Sequence, residues 1–301
     1  MRRYNDVDWE APSPYTAIVS PEDHFLRVAT VLSFIVSLLL QVGFPLAVTL
    51  SYRRRTRAPW TLFVYGMIVF GLFQLFTWLP LSVYLDTVVG SRINGEWGAF
   101  AWLLALAFFT SLIEEAGRWW GYRVLFAREG HGLTWRNGVM YGLGHGSLET
   151  LLLISGLTFV YMVAYLVLTG SGPLAISVED VARSLDISES GNGAAALLVL
   201  LSDLSATTWV QPLIVALERI LALAHQVAWA LLVMQSILSR QKRWFAFAVL
   251  YHWSVAVIVP GLARLGGFAL AEGVNLLFAL FSVWLILRFR DMDPQHVTLE
   301  I

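Results

Sequence analysis

Two adjacent carboxylates and a guanidinium fall within one helical turn at Glu114-Glu115-x-x-Arg118. Positions three and four apart share a helix face, so Arg118 can reach back to either acid. A cation beside both carboxylates lets them be buried at lower cost, while their mutual repulsion favours one proton shared by the pair. That is the setting for general acid–base chemistry, and the spacing leaves open which acid would act. A second group follows at Gly142-Leu143-Gly144-His145-Gly146-x-x-Glu149, with Tyr141, His145 and Glu149 at successive four-residue steps. Further along stand Glu218-Arg219, His225, His252, and Glu272 with Asn275.

The composition says what must hold these groups. Of 301 residues, 57% are hydrophobic and 14% charged, against about 25% charged in an ordinary soluble domain. Mean hydropathy is +0.67. A soluble fold of this length needs far more polar surface to cover its core, so a soluble enzyme is all but excluded. The lack of Cys removes disulfides, thiolate metal sites and a cysteine nucleophile. A net charge of −1 leaves no electrostatic footprint for nucleic acid. The chain reads as an all-α, polytopic helical bundle of the membrane, with the lipid bilayer as its first partner.

A helix needs about 20 apolar residues to cross a bilayer. Seven stretches qualify, at about 25–51, 60–85, 98–126, 135–169, 209–239, 244–260 and 267–289. The fourth is long enough to kink near Ser155-Gly156, and Ala194–Leu201 reads as a short re-entrant or interfacial piece. Arg and Lys set the orientation. Arg53, Arg54, Arg55 and Arg57 follow the first span, Arg128 and Arg136 the third, and Arg240, Lys242 and Arg243 the fifth, while Arg288 and Arg290 close the last. The loops between are acidic or mixed. Seven transmembrane helices with the N-terminus out and the C-terminus in satisfy that alternation. The domain plan is then an extracytoplasmic polar segment over 1–24, a membrane domain over 25–290 and a cytoplasmic tail over 291–301. Residues 1–24 carry Pro12, Pro14 and Pro21 among Asp6, Asp8, Glu10, Glu22 and Asp23. That is not the basic n-region and short apolar stretch of a cleaved signal peptide, so the first span is expected to be retained. The outer loop, about 170–208, carries an amphipathic segment in which Val178, Val181 and Leu185 share a face, read as a helix lying on the membrane. The expected location is a bacterial cytoplasmic membrane, as a multi-pass protein.

A charged side chain at mid-span costs about 2.5–3.5 kcal/mol on insertion scales, so it faces a partner or a wet cavity. At about 1.5 Å per residue from the cytoplasmic ends, Glu114 and Glu115 lie roughly 16–18 Å deep, His145 roughly 15 Å, His225 roughly 21 Å and His252 roughly 12 Å. Four helices therefore place acid or base groups in one layer. Gly138, Gly142 and Gly146 in the fourth span, and Gly117 and Gly121 in the third, sit at four-residue steps that let membrane helices approach closely. The helices of Glu114 and His145 are expected to touch. Each group has a plainer reading when taken singly. Glu114, Glu115 and Arg118 could be an ion-pair knot, His145 with Glu149 an interhelical hydrogen bond, and His225 or His252 a satisfied buried histidine. Glu218 with Arg219 reads as structural, and Glu272 as facing the outer interface. Convergence in depth is what argues for a site.

These motifs resemble the YhfC family of intramembrane proteases, within the wider CAAX-protease and PrsW-like superfamily. The resemblance covers about residues 25–290. It rests on Glu114-Glu115-x-x-Arg118, on Gly142 through Glu149, on Glu218-Arg219 ahead of His225, and on Tyr251-His252 opening the sixth span. It implies hydrolysis of a peptide bond in a membrane-associated protein or peptide substrate. It further implies Glu114 as general base on a water, Glu115 and Arg118 as its support and His145 as orienting that water. His225 and His252 would bind or polarise the scissile carbonyl. Relatives often carry Asn or Asp four residues after the last histidine, where this chain has Ala256, and Asn275 is the candidate replacement.

That glutamate-type reading needs no cofactor. In a zinc version, His145 and Glu149 at i, i+4 join His225 and His252 on the ion, and Glu114 activates the bound water. No HExxH motif accompanies it. A non-enzymatic alternative comes from the same superfamily: the Aph scaffold subunit of gamma-secretase resembles this chain in its seven spans, orientation and paired intramembrane histidines, and would imply a membrane partner subunit. A proton-coupled transporter is the third, because Glu/His clusters also relay protons. No inverted repeat is detectable to support it.

Overall fold

The computed structural model describes residues 21–170, 176, 181, 197 and 199–291, and among them there is helix and no strand. Six segments are long and apolar enough to cross a bilayer: α1 (Phe25–Thr56), α2 (Trp60–Arg92), α3 (Glu96–Phe126), α4 (Trp135–Thr169), α5 (Val210–Leu238) and α6 (Lys242–Asp291). Lipid offers no partner to backbone N–H and C=O groups, so apolar runs of this length satisfy them internally as helix. Local signals set the ends. Pro59, with φ at −62°, leads into Trp60; Gly95, with φ at 83°, turns the chain into α3; and the Thr134 side chain accepts from the Asn137 N–H at 3.3 Å to open α4. Large apolar side chains face outward, Phe76 with 74% and Leu277 with 64% of its surface exposed. Such a belt is surface for lipid to cover.

The last two expected spans, 244–260 and 267–289, form one 50-residue segment broken at Gly267, where φ 81° and ψ 172° leave the helix. Glycine alone adopts that backbone freely. A straight rod of this length would reach about 75 Å, more than twice the hydrocarbon thickness of about 30 Å. The two arms instead fold back on each other. Tyr251 donates to the carbonyl of Phe278 at 2.7 Å, and the Phe247 and Phe281 rings meet edge to face. In α4 the irregularity lies one turn before the expected kink, as a π-helical stretch over Glu149–Ile154. Further π stretches at Gly71–Trp78 and Tyr122–Phe126 widen α2 and α3. Residues 1–20, 292–301 and most of the outer loop, with its amphipathic segment, lie outside the described residues.

The centre of the bundle is α5, whose most apolar stretch is 67% buried against at most 39% in any other segment. The first half of α4 lies between α5 and α2, and its glycines make the approach possible. A methyl on Gly142 would fall 2.8 Å from Val227 Cα, and one on Gly146 would fall 2.9 Å from Gln226 Cβ. The expected contact of α4 with α3 forms through Tyr141 and His145, with Gly121 of α3 against the Tyr141 ring; the α4 glycine row itself lies against α5. Four-residue glycine spacing makes a helix approachable without saying by which neighbour. A second glycine contact faces α2, where a methyl on Gly144 would fall 2.7 Å from the Phe63 carbonyl carbon and 2.8 Å from its Cα. Backbone on both sides cannot yield. Gly144→Ala is expected to lower stability by about 1–3 kcal/mol through overpacking. Gly156→Ala, whose methyl meets nothing within 4 Å, is the neutral control. Thermal unfolding of the two variants in detergent reads the difference.

Candidate active site

Arg118 stands at the middle of a buried polar network with no exposed surface of its own. One terminal nitrogen, Nη1, donates to Glu115 Oε1, and the other, Nη2, donates to Glu114 Oε2 at 3.2 Å and to Gln226 Oε1 of α5. The i+3 and i+4 pairs are those the helical spacing requires. Each acid also meets a histidine from another helix. His145 Nε2 of α4 lies 3.3 Å from Glu114 Oε2, and His252 Nδ1 of α6 lies 2.9 Å from Glu115 Oε1. Each contact joins one ring nitrogen to one carboxylate oxygen, a geometry through which a proton can be held between acid and imidazole. Aromatic rings fix the imidazoles in place. Phe70 meets His145 edge-on at 5.1 Å between centroids, and Trp229 stacks on His252 at 3.8 Å and 11°. Tyr141 donates its hydroxyl to the Arg118 carbonyl at 3.3 Å, tying α4 to α3.

The two acids differ in what they face. A cavity of about 580 Å³ between α4, α5 and α6 is lined by Glu114, His225, Gln226, Trp229, His252 and Asn275, among others. Glu115, Arg118 and His145 are not on its wall. Glu115 has no exposed surface, whereas Glu114 keeps 5% of its own. Glu114 is thus the acid of the pair that opens onto a space large enough for a peptide segment, and Glu115 is committed to Arg118 and His252.

The remaining expected residues are on or near the same cavity, with partners that differ from those the spacing suggests. Glu149 does not pair with His145. The π stretch that begins at Glu149 widens the helix there, and its carboxylate accepts from Arg219 at 3.1 Å and from Gln226 at 2.5 Å. Arg219 therefore makes its ion pair with Glu149, while also lying close enough to Glu218 to act on its charge. His225 does not reach the acid pair. Its Nε2 donates to Asn275 Oδ1 at 3.2 Å and its Nδ1 lies 2.9 Å from Ser282 Oγ, so both ring nitrogens are occupied. Asn275 lines the same cavity as Ala256, the position where a polar helper was missing, and donates to Glu272 at 3.3 Å. Glu272 lines the cavity, as Glu218 does. Gln226 and Trp229 were not singled out by the spacing. Gln226 accepts from Arg118 and donates to Glu149, which makes it the bridge between the acid pair and the Glu149–Arg219 pair. Trp229 lies between two imidazoles, with His225 on it at 5.6 Å and His252 at 3.8 Å.

A catalytic zinc ion takes three protein ligands at about 2.0–2.2 Å, so three donor atoms must converge on one point. Among the described residues no three His, Asp or Glu side chains do so. His145 turns to Glu114, Glu149 to Arg219 and Gln226, and His225 to Asn275 and Ser282. The donor set in this arrangement does not fit a zinc ion.

Residues 36–272 match the family described as YhfC intramembrane metalloprotease. An uncharacterised membrane protein of Bacillus subtilis, YhfC, is 26% identical over 253 residues, which is 81% of this chain and 90% of the relative. No solved structure matches.

Proposed function

The chain belongs to the YhfC intramembrane metalloprotease family, and from that premise we propose that it cuts a membrane-associated protein with a water activated by Glu114. The observation that carries this reading is the asymmetry of the acid pair, with Glu114 on the cavity wall and Glu115 sealed behind it. Arg118 and His145 orient the Glu114 carboxylate. It takes a proton from a water in the cavity as the water oxygen bonds to the scissile carbonyl carbon, and the carbonyl electrons move onto its oxygen. The oxyanion needs a preorganised donor. His252 supplies it: Glu115 holds its Nδ1, which leaves Nε2 as the nitrogen that faces the cavity. The acid of a hydrolytic triad steadies its histidine in the same way. Collapse of the intermediate breaks the C–N bond, and the leaving amine takes the proton from Glu114. His225 and Asn275 shape the opposite wall, where they hold the peptide against these groups.

Purified chain in proteoliposomes, offered a panel of labelled single-span membrane proteins, is expected to release fragments. Release should be lost in Glu114→Gln and kept after dialysis against a chelator. Cleavage that disappears with the chelator and returns with Zn²⁺ would assign the water to a metal ion, as the family's description implies. A Glu114→Gln protein that cleaves at the wild-type rate removes the proposal.

The same reading takes residues 25–290 as the membrane domain, crossed seven times when the arms of α6 are counted separately. Residues 1–24 lie outside and 291–301 in the cytoplasm. The chain has no Cys, so single cysteines report topology without background. An impermeant maleimide is expected to label Glu96→Cys and Asp203→Cys on intact cells, and Arg54→Cys only after permeabilisation. The reverse pattern would invert the topology.

A further inference from the structure

A second and larger cavity, of about 810 Å³, is lined by residues of α3 other than the acid pair and by the junction of α5 and α6. Three cationic side chains line it: Arg123 from α3, Arg240 from the junction and Lys242 from the start of α6. No acidic side chain lines it, and none of the three cations enters an ion pair among the described residues. The rest of the wall is apolar or aromatic, with Trp119, Ile237 and Phe245. The Arg123 guanidinium lies 5.3 Å over the Trp119 ring, and Trp119 has 41% of its surface exposed. On α3, Ala116, Trp119 and Arg123 share one face, and the buried Glu115, Arg118 and Tyr122 lie on the face beside it.

Three uncompensated cations in one concavity favour an anion, and guanidinium groups match phosphate oxygens in paired hydrogen bonds. A free phosphate would leave the Trp119 and Phe245 wall uncovered. An amphipathic anion would cover both parts. We propose that this cavity binds the phosphodiester headgroup of an anionic phospholipid, with Arg123, Arg240 and Lys242 on the phosphate and Trp119 and Phe245 along the glycerol and upper acyl chains. Basic concavities between membrane helices suit such headgroups, and interfacial Trp suits the region just beneath them. The bound lipid joins α3 to the α5–α6 junction, so it stabilises the arrangement of the helices that carry Glu114, Gln226 and His252. The proposal does not depend on the peptidase reading.

The test uses the full chain in neutral detergent, with unfolding followed by Trp fluorescence as lipid is titrated in. Phosphatidylglycerol is expected to raise the unfolding midpoint, and phosphatidylcholine or inorganic phosphate at the same concentration to leave it unchanged. Each of Arg123→Gln, Arg240→Gln and Lys242→Gln is expected to weaken phosphatidylglycerol about fivefold, and the three together by on the order of a hundredfold. An Arg53→Gln/Arg54→Gln/Arg55→Gln variant loses the same charge elsewhere and is expected to keep wild-type affinity. Equal loss in both triple variants would make the effect diffuse charge and overturn the site. A shift reproduced by inorganic phosphate would overturn the lipid. Should the triple variant misfold, the single variants decide, and affinity unchanged in all three overturns the proposal.

Discussion

Glu114→Gln is expected to yield a folded protein whose cleavage rate has fallen by about 10²–10⁴-fold, the usual contribution of a positioned general base. Glutamine has the size of glutamate, and its amide oxygen can still accept from Arg118 Nη2 and His145 Nε2, which lie 3.2 Å and 3.3 Å from the native oxygen. What it cannot do is take a proton from water. Glu114 also sits on the cavity wall, so the change in charge is met partly by water. KM should hardly move, because the amide occupies the same space. Glu115→Gln is a different experiment. Arg118 and His252 both converge on Glu115 Oε1 in a setting with no exposed surface, so its neutralisation should cost stability as well as rate. The measurement is initial rate per monodisperse protein in proteoliposomes, with size-exclusion profiles alongside. A scaffold would show the opposite signature, with Glu114→Gln leaving no rate to lose and a partner complex that fails to assemble. A transporter would keep substrate-dependent proton flux after the substitution.

The network shows which features of a membrane sequence carry positional information. Glu114, Glu115 and Arg118 were legible because helical geometry alone brings i+3 and i+4 together, and both pairs form. The meeting of His145 with Glu114 and of His252 with Glu115 was legible only as shared depth, since ionisable groups in lipid must find one another. Pairings within that layer were not. Glu149 lies one regular turn from His145 on paper, but the π stretch over Glu149–Ile154 removes that register, and no periodicity in the sequence announces it. His225 shares the layer and yet serves Asn275 and Ser282 on the returning arm of α6, whose approach depends on the Gly267 break. The expected contact of α4 with α3 forms through Tyr141 and His145, while the α4 glycine row marks a second close approach, to α5, that the spacing did not name. Gln226 carries no charge, so a search for ionisable groups passes over it. A usable signal did exist, because Gln226 is one turn from Ala222 and two from Glu218 on the face of α5 that lines the cavity. Uncharged amides in an apolar span belong in the same search as acids and histidines.

That network makes Arg118 the residue whose loss should matter most to folding. Arg118→Met keeps much of the side-chain volume and removes the donors to Glu115, Glu114 and Gln226 at once. Breaking a buried ion pair from one side costs about 3–5 kcal/mol, because the remaining charge is left uncompensated. Here two carboxylates are left, in a protein whose total stability is of order 5–15 kcal/mol. The expected result is a sharp fall in recoverable folded protein and an unfolding midpoint lowered by many degrees. Arg118→Lys should recover only part of it. Two separate nitrogens of the guanidinium serve acceptors on two helices, and a single ammonium cannot span them. Arg118→Met combined with Glu114→Gln and Glu115→Gln removes the uncompensated charge and should restore much of the midpoint without restoring cleavage. Stability and catalysis are thereby read separately on the same three positions. If Arg118→Met alone unfolds at the wild-type midpoint, the acids are held by protons and not by the guanidinium, and the ionised Glu114 required for the base would lose its support.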